Sequence, residues 1–386
     1  MLQRFKDFIR QQHLFSSGEE VLLAVSGGRD SVCMAHLFHQ AGFRFSVAHC
    51  NFHLRPGDCD RDEAFVRQLA ADYGVPCYVA SFDTRAVASA TGESIEEAAR
   101  RLRYEYFSQL LAHSANPMAA VATAHHRDDS IETFFLNLFR GTGIAGLHGI
   151  RPMSELRMKD EELRIIRPLL GFSRGDIDRY VEENHLSYVE DLTNYELEAR
   201  RNQLRHRLMP LLRELYPSFD DTMAANIERL HDTEVIYKEY IETLRSRYIK
   251  PYPSRLPHLP FGLLSLDLLS LCSHISILIS QFSILFEFLH PYGFNASQVS
   301  NILSAQENGK LFYSSTHVAE LHQGRLLLAP RVEPVQGRHP LPGDRIRVKK
   351  GSRLLSDYLK DMGFSRIERQ HVLIHDDADG FVSLDF

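Results

Sequence analysis

The sequence predicts an α/β protein: a doubly wound parallel sheet, followed by a helical domain and a small α+β domain. Three observations carry that expectation. Short apolar or β-branched runs alternate with helical patterns through the first 140 residues, the mark of parallel strands covered on both faces. The first of these runs, "VLLAV", passes directly through Ser-Gly-Gly-Arg-Asp-Ser into a helical pattern. Two proline-rich stretches, 251–260 and 329–344, then divide the rest of the chain. The expected domains are 1–215, 216–330 and 331–386.

Taken in order, "MLQRFKDFIRQQHLF" is an amphipathic helix, since its apolar residues are spaced helically among charges. "VLLAV" at 21, "SVAHC" at 46, "YVASF" at 78 and "AAVATA" at 119 are the strands, with helices starting near 31, 60, 94 and 130. Ser94 and Glu97 have capping-box spacing, and Ser173 reads as an N-cap. From about 167 to 249 the pattern is mainly helical. The apolar run 259–290 is interrupted at near-heptad intervals by Asp267, His274, Gln281 and Glu287, which suits a buried helix pair and not a membrane span. "RIRVKK", "LLSDYLKDMG" and "HVLIHD" close the chain as the small α+β module.

Composition narrows the function classes. With 44 Lys and Arg against 50 Asp and Glu, a general nucleic-acid coat is excluded and any RNA site must be a local patch. Five cysteines without a CxxC give neither a disulfide framework nor a four-thiolate zinc site, and fit a cytoplasmic protein. The loop at 26–31 has what a phosphate cradle needs: a strand end, two glycines that allow positive φ and close backbone approach, hydroxyls at Ser26 and Ser31, and a helix N-terminus. It lacks the Lys of a Walker loop and carries Asp30 instead. Ser26 to Ser31, His49 to Arg55 and Ala124 to Asp129 each follow a strand and should share one rim of the sheet.

The SGGxDS loop resembles that of the N-type ATP pyrophosphatases of the PP-loop superfamily. "NFHLRPGDCDRDEAFV", "ESIEEAARRLRYEYF", "ATAHHRDDSIETFFLNLFRGTGIAGLHGI", "RPLL", "YVEDLTN" and "RRNQLRHRLMPLL" follow in the order seen in tRNA(Ile)-lysidine synthases. "PYGFN" and "SRLLSDYLKDMGFSRIERQHVLI" are similar to that family's appended domains. The resemblance implies an enzyme that uses ATP to adenylate the C2 oxygen of the wobble cytidine in an isoleucine tRNA with a CAU anticodon. The side-chain amine of free L-lysine then displaces AMP. A homodimer is the assembly it implies.

By this resemblance Ser26, Gly27, Gly28, Asp30 and Ser31 hold the phosphates that leave as pyrophosphate. Arg29 is carried with the loop, although a solvated loop charge is its plainer reading. Asp30 either caps the helix or shares a Mg²⁺ with the polyphosphate, because a bare carboxylate beside phosphates is unfavourable. Arg103 is placed at the α-phosphate, where its rigid fork suits the developing charge.

In "ATAHHRDDSIET", the lysine amine needs a carboxylate to orient it and take a proton, because an amine of pKa about 10.4 is protonated at neutral pH. Asp129 is the leading candidate and His126 the alternative proton carrier. Asp129 with Glu132 also fits a plain capping box. His125 and His126 are expected on opposite faces of a regular strand, which speaks against zinc. Arg140 is a weaker phosphate candidate, with a helix C-terminus as its ordinary role. Arg200, Arg201, Arg205 and Arg207 form a basic patch for ATP or tRNA phosphate, with Glu196 and Glu198 as the ordinary partners. Lys349 and Lys350, with Arg345, Arg347 and Arg353, suit a tRNA stem.

Two departures are visible. Asn51-Phe52-His53 carries its histidine one place later than the commoner pattern, so His53 receives no catalytic role. The chain also ends soon after its final motif and has no tryptophan, so an altered last strand is expected. The competing functions are a tRNA thiolase, which would need paired reactive cysteines, and a nonenzymatic nucleotide-dependent RNA binder.

Overall fold

The computed structural model describes residues 1–54, 58–113, 117–158, 161–189, 200–256, 259, 262–268, 270–271, 280–332, 337–349 and 351–385. The chain forms two compact units, Met1–Glu234 and Val235–Phe386.

In the first unit, β1 (Glu20–Ala24), β2 (Arg44–Asn51), β3 (Cys77–Ser81), β4 (Met118–Ala122), β5 (Met153–Met158) and β6 (Glu161–Ile166) form one sheet in the order β3-β2-β1-β4-β6-β5. All pairings are parallel except β5 with β6. The four strands read from the sequence are present. Their continuous apolar character follows from burial on both faces, with side chains alternating between two cores. Val21 and Leu23 pack on one side with Phe5 and Phe38 of helices α1 (Leu2–Gln11) and α2 (Arg29–Ala41). Leu22, between them, packs on the other side with Tyr104 and Phe107. Those two residues belong to α5 (Ile95–His113), which follows α3 (Asp58–Asp72) and α4 (Thr84–Thr91). The expected caps form: Glu97 N–H donates to Ser94 Oγ at 3.2 Å, and Asp176 N–H to Ser173 Oγ at 3.1 Å.

The antiparallel β5–β6 pair is not evident in the sequence. Along β5 exposed and half-buried positions alternate, and its Glu155 and Arg157 hide the strand signal behind charge.

β1 lies between β2 and β4, so the strand order reverses there. The loops leaving the carboxyl ends of β1 and β4 therefore meet at the switch point, where open α/β sheets bind ligands. α6 (Arg127–Arg140) starts at this rim, and α7 (Arg174–Glu183) follows β6. Next come α8 (Arg200–Gln203), one π-helical turn over Leu204–Leu208, α9 (Met209–Leu215) and α10 (Phe219–Tyr248).

The second unit holds two sheets. β7 (Ile249–Tyr252), β8 (Leu263–Leu266), β9 (Leu311–Tyr313), β10 (His317–His322) and β11 (Arg325–Pro330) are arranged β7-β8-β11-β10-β9. They share a core with α11 (Gln281–Leu289) and α12 (Ala296–Ser304). The expected helix pair at 259–290 is corrected here: its first apolar stretch opens as the interior strand β8, which pairs with both β7 and β11, with helical residues at 268 and 270–271 after it, and α11 follows. Interior strands and buried helices have equally continuous apolar runs, so periodicity could not separate them. His274 lies outside the described residues. No helix among the described residues is long and apolar enough to cross a membrane.

The remaining sheet, β13-β12-β15-β14, comprises β12 (Arg345–Val348), β13 (Gly351–Leu354), β14 (Leu373–Asp376) and β15 (Val382–Asp385). With α13 (Leu355–Asp361) and α14 (Arg366–Arg369) it makes the α+β module anticipated from sequence. Its last strand is formed, pairing with β14 over Val382–Asp385.

Between α6 and β5 the chain closes tightly on α6. Ile150 N–H donates to Ser130 Oγ at 2.9 Å, and Gly149 has φ +61°. A Cβ at Gly149 would lie 2.9 Å from the Ser130 carbonyl oxygen and 2.3 Å from its hydroxyl. Gly74 has a similar φ of +66° and open space around it. Gly149→Ala is therefore expected to cost about 2 kcal/mol more than Gly74→Ala, a melting midpoint lower by about 6 °C. Equal midpoints in calorimetry would contradict this.

Candidate active site

The rim above the switch point holds a cavity of about 690 Å³, large enough for a nucleotide with a second group beside it. Its walls come from the loops after β1, β2 and β4, from α5, and from the segment 205–213.

The loop after β1 is built as a cradle. Gly27 takes φ +92°, a conformation that favours glycine, and its carbonyl accepts from Val189 N–H at 2.9 Å. Gly28, with φ −72°, is the N-cap of α2, so only one of the two glycines uses positive φ. Ser26 Oγ accepts from Gly28 N–H at 3.3 Å, and Ser31 Oγ donates to the Gly28 carbonyl at 2.8 Å.

Asp30 serves an ion pair and not a cap. In the first turn of α2 its Oδ1 accepts from Arg174 Nη1 at 2.7 Å, while Oδ2 lies 3.9 Å from His126 Nε2. Arg29 is not a solvated loop charge. Its guanidinium donates to Asp178 at 2.7 Å and to the Tyr188 hydroxyl at 2.9 Å, and it lies 4.7 Å from the centre of the Tyr188 ring.

The opposite wall is acidic. β4 stops at Ala122, so His125 and His126 are not on a regular strand and both line the cavity. This corrects the opposite-face expectation. Asp129 Oδ2 accepts from His126 N–H at 3.0 Å and lies 3.5 Å from His126 Nε2; its Oδ1 accepts from Arg205 Nη2 at 3.1 Å. Asp129 thus caps back to His126. Glu132, expected to complete a box with Asp129, accepts instead from Arg201 Nε at 3.0 Å and Arg205 Nε at 2.7 Å. Asp128 accepts from Arg174 N–H at 3.1 Å and Arg213 Nη2 at 2.5 Å.

Burial raises the Asp129 carboxyl, but His126, its backbone N–H, His125 and Arg201 outweigh that and hold it below its ordinary value. Burial, the largest influence on His125, pushes it down to about 4, reinforced by Arg167, Arg201 and His126 and opposed by Asp129. At neutral pH the wall therefore presents an ionised Asp129 beside an uncharged His125 imidazole. Cys50, in the cavity wall, is pushed up to about 12 by burial, the opposite of a reactive sulfur-transfer thiol.

The basic candidates separate. Arg103 of α5 lines the cavity, and Arg201 and Arg205 are turned inward onto α6. Arg200 and Arg207 are exposed and outside the cavity lining. Arg140 is exposed at the far end of α6, about 16 Å along the helix from Asp129. Glu196 and Glu198 lie outside the described residues, as do Lys350 and Arg55. Lys349 is exposed in the turn after β12, while its neighbours Arg347 and Arg353 pair with Asp379 and Asp361.

Residues 1–212 match the family model described as the PP-loop domain, and residues 272–331 that of the TilS substrate binding domain. A tRNA(Ile)-lysidine synthase of Bacteroides thetaiotaomicron is 39% identical over 314 residues, which are 81% of this chain and 68% of the relative. The chain belongs to the tRNA(Ile)-lysidine synthase family. Relatives of the same name from Porphyromonas gingivalis, 37% identical over 86% of this chain and 68% of theirs, and Chlorobaculum tepidum, 40% identical over 65% and 73%, agree.

Within this lysidine synthase family member, Asp128 lies at the rim where the sequence places it, whereas Arg174, Tyr188 and Arg213 were not anticipated as members of the cavity wall. Arg174 follows the Ser173 cap and Arg213 lies in an amphipathic helix, so neither is marked locally. Only the unusual density of acids in "HHRDDSIE" hints that cations must arrive from elsewhere.

The His125 shift sets a pH dependence. Its folded pKa, about 4, is below the ordinary 6.5, so the unfolded chain takes up the extra proton and stability is lost as pH falls from 6.5 towards 4. Urea midpoints should fall through that window in the wild type and fall less in His125→Asn. Parallel profiles would contradict the assignment.

Proposed function

We propose that this chain joins free L-lysine to C2 of the wobble cytidine in a CAU-anticodon isoleucine tRNA, converting ATP to AMP and diphosphate. The observation that carries the reading is one cavity in which a helix-N-terminal phosphate cradle faces an ionised, buried carboxylate, in a member of this family. A thiolase is disfavoured by the raised Cys50 thiol.

The cradle, Ser26 to Ser31, holds the outer phosphates by backbone N–H groups, hydroxyls and the N-terminal end of α2. The cytidine C2 oxygen attacks the α-phosphorus and diphosphate leaves, with Arg103 steadying the charge that develops on the α-phosphate oxygens. The lysine amine then attacks C2, the C2–O bond breaks, and AMP carries off the electron pair. Asp129 orients the ammonium. Its lowered pKa makes it a better anchor than base, leaving proton removal to His126 or solvent.

Mg²⁺ fits this arrangement, since the ion is commonly held by one or two carboxylates plus substrate phosphates. Asp30 Oδ2, the oxygen not bonded to Arg174, would hold it, and the ion would offset polyphosphate charge. In the same proposal Arg201 and Arg205 set the acidic wall, exposed Arg200 and Arg207 meet tRNA phosphate, and 216–330 and 331–386 are the substrate- and tRNA-binding domains. The working form is a cytoplasmic homodimer.

With ATP, Mg²⁺, CAU-anticodon isoleucine tRNA and labelled lysine, label should enter tRNA in base-stable linkage with release of AMP and diphosphate. Incorporation without ATP, or none, would refute the reading. Asp129→Asn should retain ATP binding and lose at least about tenfold in lysine transfer; wild-type transfer would remove Asp129 from the mechanism.

A further inference from the structure

The arginines in and around the cavity are held in two different ways, and Arg100 in its wall also lies over a ring, 5.0 Å from the centre of Tyr104. Arg174, Arg201, Arg205 and Arg213 are each clamped by carboxylates, and Arg101 of α5 is clamped by Glu93 and Glu105. Arg103, two residues further along α5, has no carboxylate partner among the described residues. Its guanidinium carbon instead lies 5.2 Å from the centre of the Phe52 ring, within cation–π range.

We infer that Phe52 is a positioning residue for Arg103, its ring fixing the guanidinium in the cavity wall without cancelling the charge. The inference rests on the proposed role of Arg103 in adenylation.

Phe52 is itself held from three directions. Its carbonyl accepts from the Thr84 hydroxyl at 3.0 Å, and Thr84 is buried. The preceding Asn51 is buried at the end of β2, and its carbonyl accepts from Phe82 N–H at 2.8 Å. The Phe82 ring stacks on the Phe52 ring, with centroids 5.7 Å apart and planes 24° from parallel. The ring is thus a fixed support, and Phe52 and Arg103 both line the cavity.

An arginine has several rotatable bonds, and an untethered one must be ordered each time it meets its ligand. A carboxylate tether would order it but would neutralise the charge wanted at an α-phosphate. A neutral ring provides order and leaves the charge.

The test is single-turnover formation of adenylated tRNA from α-labelled ATP without lysine, with ATP and tRNA affinities measured separately. Phe52→Leu should slow adenylation about tenfold with affinities within about twofold, and Phe52→Tyr should restore most of the rate. Arg103→Met should slow it further, and adding Phe52→Leu to Arg103→Met should change nothing more. Stepwise fluorination of the Phe52 ring, which weakens its negative face while nearly keeping its shape, should lower the rate stepwise even if Phe52→Leu folds poorly.

Wild-type adenylation in Phe52→Leu, a flat fluorination series, or independent losses in the double variant would overturn the inference. If Arg103→Met adenylates normally, the underlying role of Arg103 falls and the inference with it. Loss in Arg103→Met with a flat fluorination series overturns the inference alone.

Discussion

Three carboxylates within the first two turns of one helix constrain everything around them. Asp128, Asp129 and Glu132 of α6 have side chains 10%, 14% and 2% exposed. Buried like charges this close repel one another, and each alone would cost several kcal/mol (about 3–5) unless paired. The charged partners, Arg201, Arg205 and Arg213, all come from chain beyond the sheet, while Arg174 gives Asp128 its backbone N–H and Asp30 its guanidinium. Charge compensation therefore docks the segment from α8 to α9 onto the start of α6, and the same contacts form one side of the cavity. Packing of apolar side chains builds the sheet; ion pairing closes the rim.

The rim is therefore electrostatically divided. Near the cradle lie a helix N-terminus and the guanidinium of Arg103, a setting for phosphate. Across the cavity, Asp129 stays ionised beside an uncharged imidazole, a setting for an ammonium. A reaction that first places a phosphate on a carbonyl oxygen and then brings an amine to the carbon bearing that oxygen needs both settings in one cavity, not mutually cancelled. Arg205, itself in the cavity wall, donates to Asp129 and offsets part of its negative field.

What the sequence revealed and what it hid divide by range. The first four parallel strands, the Ser94 and Ser173 caps and the Gly27 turn are local, set by periodicity and backbone preference, and all were legible. The pairs Arg29–Asp178, Arg174–Asp30 and Arg213–Asp128 join residues 149, 144 and 85 positions apart, and no local pattern announces them. The solvated reading of Arg29, and the cap among the two alternatives held for Asp30, failed for that reason. The strand at Leu263–Leu266 was hidden differently: its alternation is lost because it is an interior strand of its sheet.

The π-helical turn at Leu204–Leu208 contains Arg205, one of the two arginines that hold Glu132, and precedes Arg213, which holds Asp128. One residue more per turn rotates all that follows by about 100° relative to an unbroken α-helix. Arg213 meets Asp128 downstream of that offset. Deleting one residue here would give a more regular helix, yet would swing Arg213 to another side and strand a buried charge. Among natural variants of this segment, substitutions should thus be commoner than changes of length. The spacing between the arginines, and not only their identity, is what the acidic helix selects.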